Sequence, residues 1–90
     1  MTAVRIPSVL RPAVGGQKEL DVDGSTVGEV IDALIGRFPS LRDQLLTGEG
    51  ELNRFVNVYV NGQDVRYLDG LGTKVEARDE VRLLPAMAGG

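Results

Sequence analysis

Few residues in this chain can do chemistry, and the most suggestive are the last two. The sequence ends Leu83-Leu84-Pro85-Ala86-Met87-Ala88-Gly89-Gly90. Two terminal glycines leave bare backbone in front of a carboxylate, and glycine reaches backbone angles closed to other residues. Such a segment can be threaded into a narrow channel of another protein, where a catalyst reaches the terminal carbonyl from either side. The remaining inventory removes most rivals. The chain has no Cys and no His. Thiol nucleophiles, disulfides, thiolate or imidazole metal sites, and the Ser-His-Asp and Cys-His constellations are therefore excluded. Asp79 and Glu80 could pass for a carboxylate pair, but they precede a strand with no second charged partner in view, and they read as a solvated turn.

Length and composition set the frame. Ninety residues make one domain with one core, burying only about 60–65% of the surface the unfolded chain exposes. Hydrophobic residues at 42% and charged residues at 26% are ordinary for a globular domain. The net charge is −3 and the basic residues are scattered, which argues against nucleic acid as a partner. Mild acidity suits a partner with a basic docking surface. No apolar run approaches the ~18 residues of a membrane span. The start, Met1-Thr2-Ala3-Val4-Arg5, lacks the charged head and apolar run of a signal peptide, and the expected location is the cytoplasm.

The elements that must hold the tail follow from periodicity. Ala3 to Leu10 reads as a strand with Val4 and Ile6 on one face. Pro12 and Gly15-Gly16 mark a turn, and Glu19 to Val22 alternates again. The two strands form an antiparallel hairpin. Thr26-Val27-Gly28-Glu29 has the pattern of a capping box, with each side chain serving the other's backbone amide. A helix then runs to about Gly36, with Val27, Val30, Ile31, Leu34 and Phe38 as its apolar face. Pro39 opens a short helix reaching Leu46. Phe55 to Val60 is the clearest strand: Val56, Val58 and Val60 point one way, and Phe55, Asn57 and Tyr59 the other. Asn61-Gly62 is a strong hairpin signal, followed by a brief return strand from Gln63 to Arg66. The last strand, Glu80 to Leu84, turns Val81 and Leu83 inward. Pro85 then stops the ladder and launches the tail away from the sheet. Strand, strand, helix, strand, short strand, strand is an α+β order, with a helix packed on a mixed sheet. Tyr59, Phe55 and Leu84 all fall on the face away from the helix and, with Met87, are the candidates for a partner-docking patch.

The strand Asp79-Glu80-Val81-Arg82-Leu83-Leu84-Pro85 followed by Ala-Met-Ala-Gly-Gly resembles the end of the ubiquitin-like sulfur carriers, the ThiS/MoaD superfamily. Ile6-Pro7-Ser8-Val9-Leu10-Arg11-Pro12, Gly15-Gly16-Gln17-Lys18 and Arg54-Phe55-Val56-Asn57-Val58-Tyr59-Val60-Asn61 most resemble its CysO-like, cysteine-synthase branch. The resemblance covers essentially the whole chain. It implies the ubiquitin-like β-grasp topology for residues 1–85 and a flexible carboxyl-terminal Gly-Gly tail for residues 86–90.

It also implies a mechanism in which the chain is a co-substrate and not an enzyme. An E1-like adenylyltransferase and sulfurtransferase, using ATP and Mg, adenylates the Gly90 carboxylate. Pro85, Ala86, Met87, Ala88 and Gly89 thread the channel. A sulfur donor displaces AMP and leaves a thiocarboxylate on Gly90. A chain with no cysteine has no other group on which to carry sulfur. The acceptor implied for this branch is a cysteine synthase whose pyridoxal phosphate belongs to that partner. A metalloprotease then releases the product. No cofactor or metal is expected on this chain. The same chemistry would also serve molybdopterin, thiamine thiazole or thiosugar synthesis. Two other classes fit the tail: a ubiquitin-like modifier joined through Gly90 to lysines, and a binding module whose tail is inert.

Overall fold

The structure, a computed structural model, describes residues 1–85. The expected tail, residues 86–90, lies outside the described residues. The strands are β1 (Thr2–Arg5), β2 (Glu19–Val22), β3 (Val56–Val60), β4 (Gln63–Asp64) and β5 (Glu80–Pro85), and the helices are α1 (Val27–Arg37) and α2 (Arg42–Leu45). The sheet order is β2-β1-β5-β3-β4. β1 pairs antiparallel with β2 and parallel with β5, and β3 pairs antiparallel with both β5 and β4. The last strand therefore lies in the centre of the sheet, between β1 and β3. With α1 packed over one face, this is the expected β-grasp arrangement.

The strand phases follow the alternation of the sequence. Val4, Leu20, Val22, Val56, Val58, Val60, Val81 and Leu83 are buried on the helix side. α1 sets Val27, Val30, Ile31 and Leu34 against them. Thr26 caps the helix, its Oγ1 accepting from the Glu29 amide at 3.2 Å. The return half of the capping box lands one residue earlier than expected: Glu29 Oε1 accepts from the Ser25 amide and hydroxyl. α1 also passes Gly36 and ends at Arg37, with Phe38 as its cap and Pro39 starting a short 3₁₀ turn that leads into α2.

The first strand is shorter than its sequence suggests. β1 stops at Arg5, and Ser8–Val14 forms a 3₁₀ helix that includes Pro12. Ile6 and Leu10 remain buried, so the apolar pattern reports the core correctly while the backbone changes type. Pro7 explains the change: it has no N–H for a ladder, and its fixed φ starts a helical turn well. The expected return strand is likewise only Gln63–Asp64, and Val65–Tyr67 coils into a 3₁₀ turn. At the hairpin tip Asn61 and Gly62 have φ of 50° and 86°, the mirror-image turn that matches strand twist.

Two features outside the apolar pattern lock the sheet. Gly24 lies so close to the start of α1 that a Cβ there would come within 2.8 Å of the Val30 amide nitrogen, so only glycine fits without displacement. Asp79 does more than face solvent. Its Oδ1 accepts from Asn61 Nδ2 at 2.9 Å and its Oδ2 from the Glu76 amide at 2.8 Å. Asn61 Oδ1 in turn accepts from the Glu80 amide at 2.9 Å. This latch fixes the β3–β4 tip to the start of β5. The Asn61 side chain first, and the Glu76 amide second, hold the Asp79 carboxyl below its ordinary pKa. Among the described residues no helix is long and apolar enough to cross a membrane.

Ile31→Ala, in the helix face of the core, is expected to cost about 2–5 kcal/mol of unfolding free energy, and Val58→Ala a value at or below the low end of that range. Chemical denaturation midpoints check this; unchanged midpoints would mean that neither side chain contributes to the core. For Asp79 the folded pKa lies below the unfolded value of ~3.9, so its contribution is present above that pH and is lost as pH falls through the folded pKa. Asp79→Asn, which turns an NH₂ toward a donor, is expected to melt below the parent at neutral pH, with the gap narrowing as pH falls below the unfolded carboxyl's ~3.9. A gap independent of pH would refute the latch.

Candidate docking face and the root of the tail

β5 carries the sequence from the core to the tail, and its neighbours define what a partner meets there. The face of the sheet away from α1 carries the outward residues of each strand: Arg5 on β1, Asn57 and Tyr59 on β3, and Glu80, Arg82 and Leu84 on β5. Across the strands Tyr59 stands opposite Arg82 and Asn57 opposite Leu84, while Arg82 is also in register with Arg5. Tyr59, Asn61, Gly62, Glu80, Arg82 and Leu84 line a shallow, open hollow of about 520 Å³. Two of the four expected docking residues, Tyr59 and Leu84, thus meet on one surface, and Met87 lies outside the described residues.

Phe55 does not join them. β3 begins at Val56, so Phe55 belongs to the preceding turn, where its amide donates to Asn53 Oδ1 at 2.9 Å. Strand alternation does not apply there. The ring, 56% exposed, lines a second hollow of about 250 Å³ with Val9, Leu10, Gln44, Asn53, Val56 and Pro85. The Arg54 guanidinium lies over it, 5.1 Å from the ring centre. The expected single patch is therefore divided between two hollows, a mixed one that holds Tyr59 and Leu84 and a more apolar one that holds Phe55.

Pro85 is the second departure from expectation. It does not stop the ladder before the sheet ends; it is the last residue of β5, opposite Val56. The hydrogen-bond phase explains how a proline fits. The Asn61 amide donates to the Glu80 carbonyl, and bonded pairs in an antiparallel ladder alternate. Counting along the register, Asn57–Leu84 is a bonded pair and Val56–Pro85 is not. The Pro85 nitrogen therefore faces away from β3, toward β1, whose pairing with β5 has already ended at Arg5–Arg82. The missing N–H leaves no bond unmade. Ala86, Met87, Ala88, Gly89 and Gly90 lie outside the described residues.

Three arginines near this point escaped the reading of the sequence. Arg66 donates to Asn57 Oδ1 at 2.6 Å and to the carbonyls of Asn53 and Val56 at 2.9 and 2.8 Å, pinning the entry to β3. Arg5 and Arg82 share the outward face with Tyr59 and Leu84. The signal for that pair was the inward phase of Val4 and Ile6, and of Val81 and Leu83, but only the β1–β5 pairing brings the two arginines together. Among the described residues no three Asp or Glu side chains gather as a metal site.

The ThiS family matches residues 4–90. The chain belongs to that family. It is 45% identical to the sulfur carrier protein CysO of Mycobacterium tuberculosis over 89 residues, covering 97% of this chain and 96% of that protein. Its fold superposes on CysO in the crystal structure of the Amycolatopsis orientalis BexX/CysO complex with a TM-score of 0.91 at 42% identity, covering 100% of each chain. It is also 40% identical to the small archaeal modifier protein 1 of Haloferax volcanii over 72 residues, 79% of this chain and 78% of that one. These relatives are named as carriers and a modifier, not as enzymes.

Tyr59→Glu or Leu84→Asp is expected to weaken binding of the partner that takes the tail by about tenfold or more, because interface energy concentrates in a few aromatic or well-packed anchors. Calorimetric titration measures this, and a melting curve checks that the fold is intact. Parent-like affinity would move the docking surface elsewhere, with the Phe55–Val9 hollow next in line.

Proposed function

We propose that this chain is a sulfur carrier of the CysO type whose Gly90 carboxylate is the group that is loaded. The observation that carries the reading is the family match, which runs through the final Gly89-Gly90 pair. The fold fits that role, because a central strand, paired with β3 through Pro85 and with β1 as far as Arg82, delivers the tail from a rigid base.

In the proposed cycle the Gly90 carboxylate attacks the α-phosphate of ATP on an E1-like partner, and pyrophosphate leaves. The acyl-adenylate has a good leaving group where the carboxylate had none. Sulfide, or a sulfur donor equivalent to it, attacks the carbonyl; AMP departs and a thiocarboxylate remains. Its sulfur is a better nucleophile than a carboxylate oxygen and is ionised at neutral pH. It then attacks an electrophile held by an acceptor enzyme. We assign that acceptor to cysteine synthesis on the strength of the CysO likeness, with pyridoxal phosphate on the acceptor and a metalloprotease releasing the product. This chain supplies the positioned atom and the surface by which both enzymes hold it, in the cytoplasm. Pro85 to Gly89 are the threading segment.

A second reading has its own support. The likeness to small archaeal modifier protein 1 favours joining of the same activated Gly90 to lysines of other proteins. Intact mass after incubation with ATP, the activating enzyme and sulfide separates the two. Exchange of one carboxyl oxygen for sulfur supports the carrier; adducts to protein amines without that exchange support the modifier. Gly90→Ala leaves folding untouched but sets a methyl beside the reacting carbonyl in a channel shaped for bare backbone. Misplacement of about 1 Å at a reacting centre costs ~10²-fold, and thiocarboxylate yield per unit time is expected to fall by that order. An equal rate would show that no active site reads Gly90.

A further inference from the structure

Beside the tail's root the surface charge is opposite to that of the chain as a whole. Arg5, Arg11 and Arg82 line a hollow of about 170 Å³ whose other walls are Ile6, Pro7, Leu83 and Leu84. Among the described residues no carboxylate lines it, in a protein with 13 acidic residues against 10 basic. The arginines arrive from three places in the sequence. Arg5 and Arg82 are in register across the parallel β1–β5 pair. Arg11 comes from the 3₁₀ helix, where its Nε donates to the Ile6 carbonyl at 3.0 Å, which fixes the guanidinium against the hollow.

Among the described residues little neutralises the group. Arg82 makes an exposed contact with Glu80 at 3.3 Å, a class of pair that stabilises weakly and leaves most of the guanidinium's donors open. Glu19 stands across from Arg5 on β2, but among the described residues neither Arg5 nor Arg11 makes an ion pair within 4.0 Å. Gathering like charges opposes folding, and the core beneath needs only Ile6 and Leu83.

We propose that the Arg5–Arg11–Arg82 hollow is an electrostatic clamp for an acidic segment of the enzyme that activates the tail. The inference rests on the proposed function and deepens it by naming the chemistry of the partner's surface. The position selects a protein segment over the nucleotide. Residues 86–90 in a channel run extended and span at most about 17 Å. ATP at the Gly90 carboxylate is thus separated from the hollow by most of that length, whereas the rim of the channel lies directly against Leu84 and Pro85. The apolar walls fit a segment in which acidic residues alternate with small or apolar ones. A rim of this kind governs encounter and register, and its effect falls with ionic strength.

The test is ATP–pyrophosphate exchange by an E1-like adenylyltransferase, as a function of carrier concentration, at about 50 and about 300 mM NaCl. The variants are Arg5→Glu, Arg82→Glu and the double variant, with Arg5→Gln and Arg82→Gln as milder changes. Lys74→Glu, exposed and in a different loop, is the charge control. The double variant is expected to need about tenfold more carrier for half-maximal exchange at low salt, and the control no more than the parent. The parent's requirement is expected to rise with salt and the double variant's to stay flat. Melting curves show which variants are folded, and the glutamine variants carry the test if the glutamates are not. Exchange with the parent but equal requirements for the folded variants and the control overturns the clamp alone. No exchange with the parent overturns the proposed function and the clamp together.

Discussion

The parallel pairing of β1 with β5 is the constraint on which the rest of the structure depends. It places the last strand in the middle of the sheet, with Val81 and Leu83 fully buried. A strand bonded on both sides frays far less readily than an edge strand, so the chain reaches Leu84 from a fixed point. The pairing also ends early. Ile6 still bonds the Lys18 carbonyl in continuation of the β1–β2 ladder, but Pro7, the next position in phase to face β5, cannot donate, and the 3₁₀ helix begins at Ser8. Beyond Arg82 one side of β5 is therefore uncovered. That single divergence admits Pro85 without an orphaned amide and opens the hollow in which the three arginines meet.

The core has a composition that serves the surface. Every buried apolar side chain in it is Val, Leu or Ile. The chain has two Phe and two Tyr, and none of the four is buried: Phe38 packs at the margin of the core, Tyr59 is half-buried, and Phe55 and Tyr67 are exposed. A buried aromatic removes some 150–250 Å² from water, so a domain this small forgoes a large share of available burial by leaving them out. β-branched residues fill the gap, since they suit a pleated, half-buried surface. The aromatic groups that remain outside include both anchors assigned to the surfaces flanking β5.

Much of this was legible in the sequence, and what was not had a common cause. Period-two alternation placed Leu20, Val22, Val58 and Leu83 inside, helical spacing placed Val27 to Leu34 against them, and Asn61-Gly62 marked its turn. Each is a local rule acting on neighbours in the chain. The failures came where a local rule met a chain break or a distant partner. Pro7 converted the expected end of the first strand to 3₁₀ helix. Phe55 was given a strand's alternation one residue before the strand begins. Asp79 does stand at a solvated turn, but its bond to Asn61 went unseen because that partner lies 18 residues away. The arginine hollow needs three segments brought together by a parallel pairing that no local pattern encodes. The family resemblance supplied the topology, but it did not place individual side chains on these surfaces.

The absence of cysteine and histidine has a chemical consequence under the proposed function. An acyl-adenylate is open to any thiolate or imidazole that reaches it, and a thioacid exchanges with thiols and disulfides. Five residues beyond Pro85 span at most about 17 Å when extended, a length comparable with the 29 × 29 × 24 Å extents of the molecule. A cysteine on the neighbouring surface would be held at high effective concentration and would capture the carbonyl as a thioester, expelling AMP from the adenylate or sulfide from the thioacid, in competition with the acceptor. Lysine poses a lesser hazard because its amine is protonated at neutral pH, and the sequence has only Lys18 and Lys74 against eight arginines. Arginine stays charged and non-nucleophilic throughout. A basic surface at the root of an activated tail is thus best made from guanidinium groups, and Arg5, Arg11 and Arg82 are what stands there.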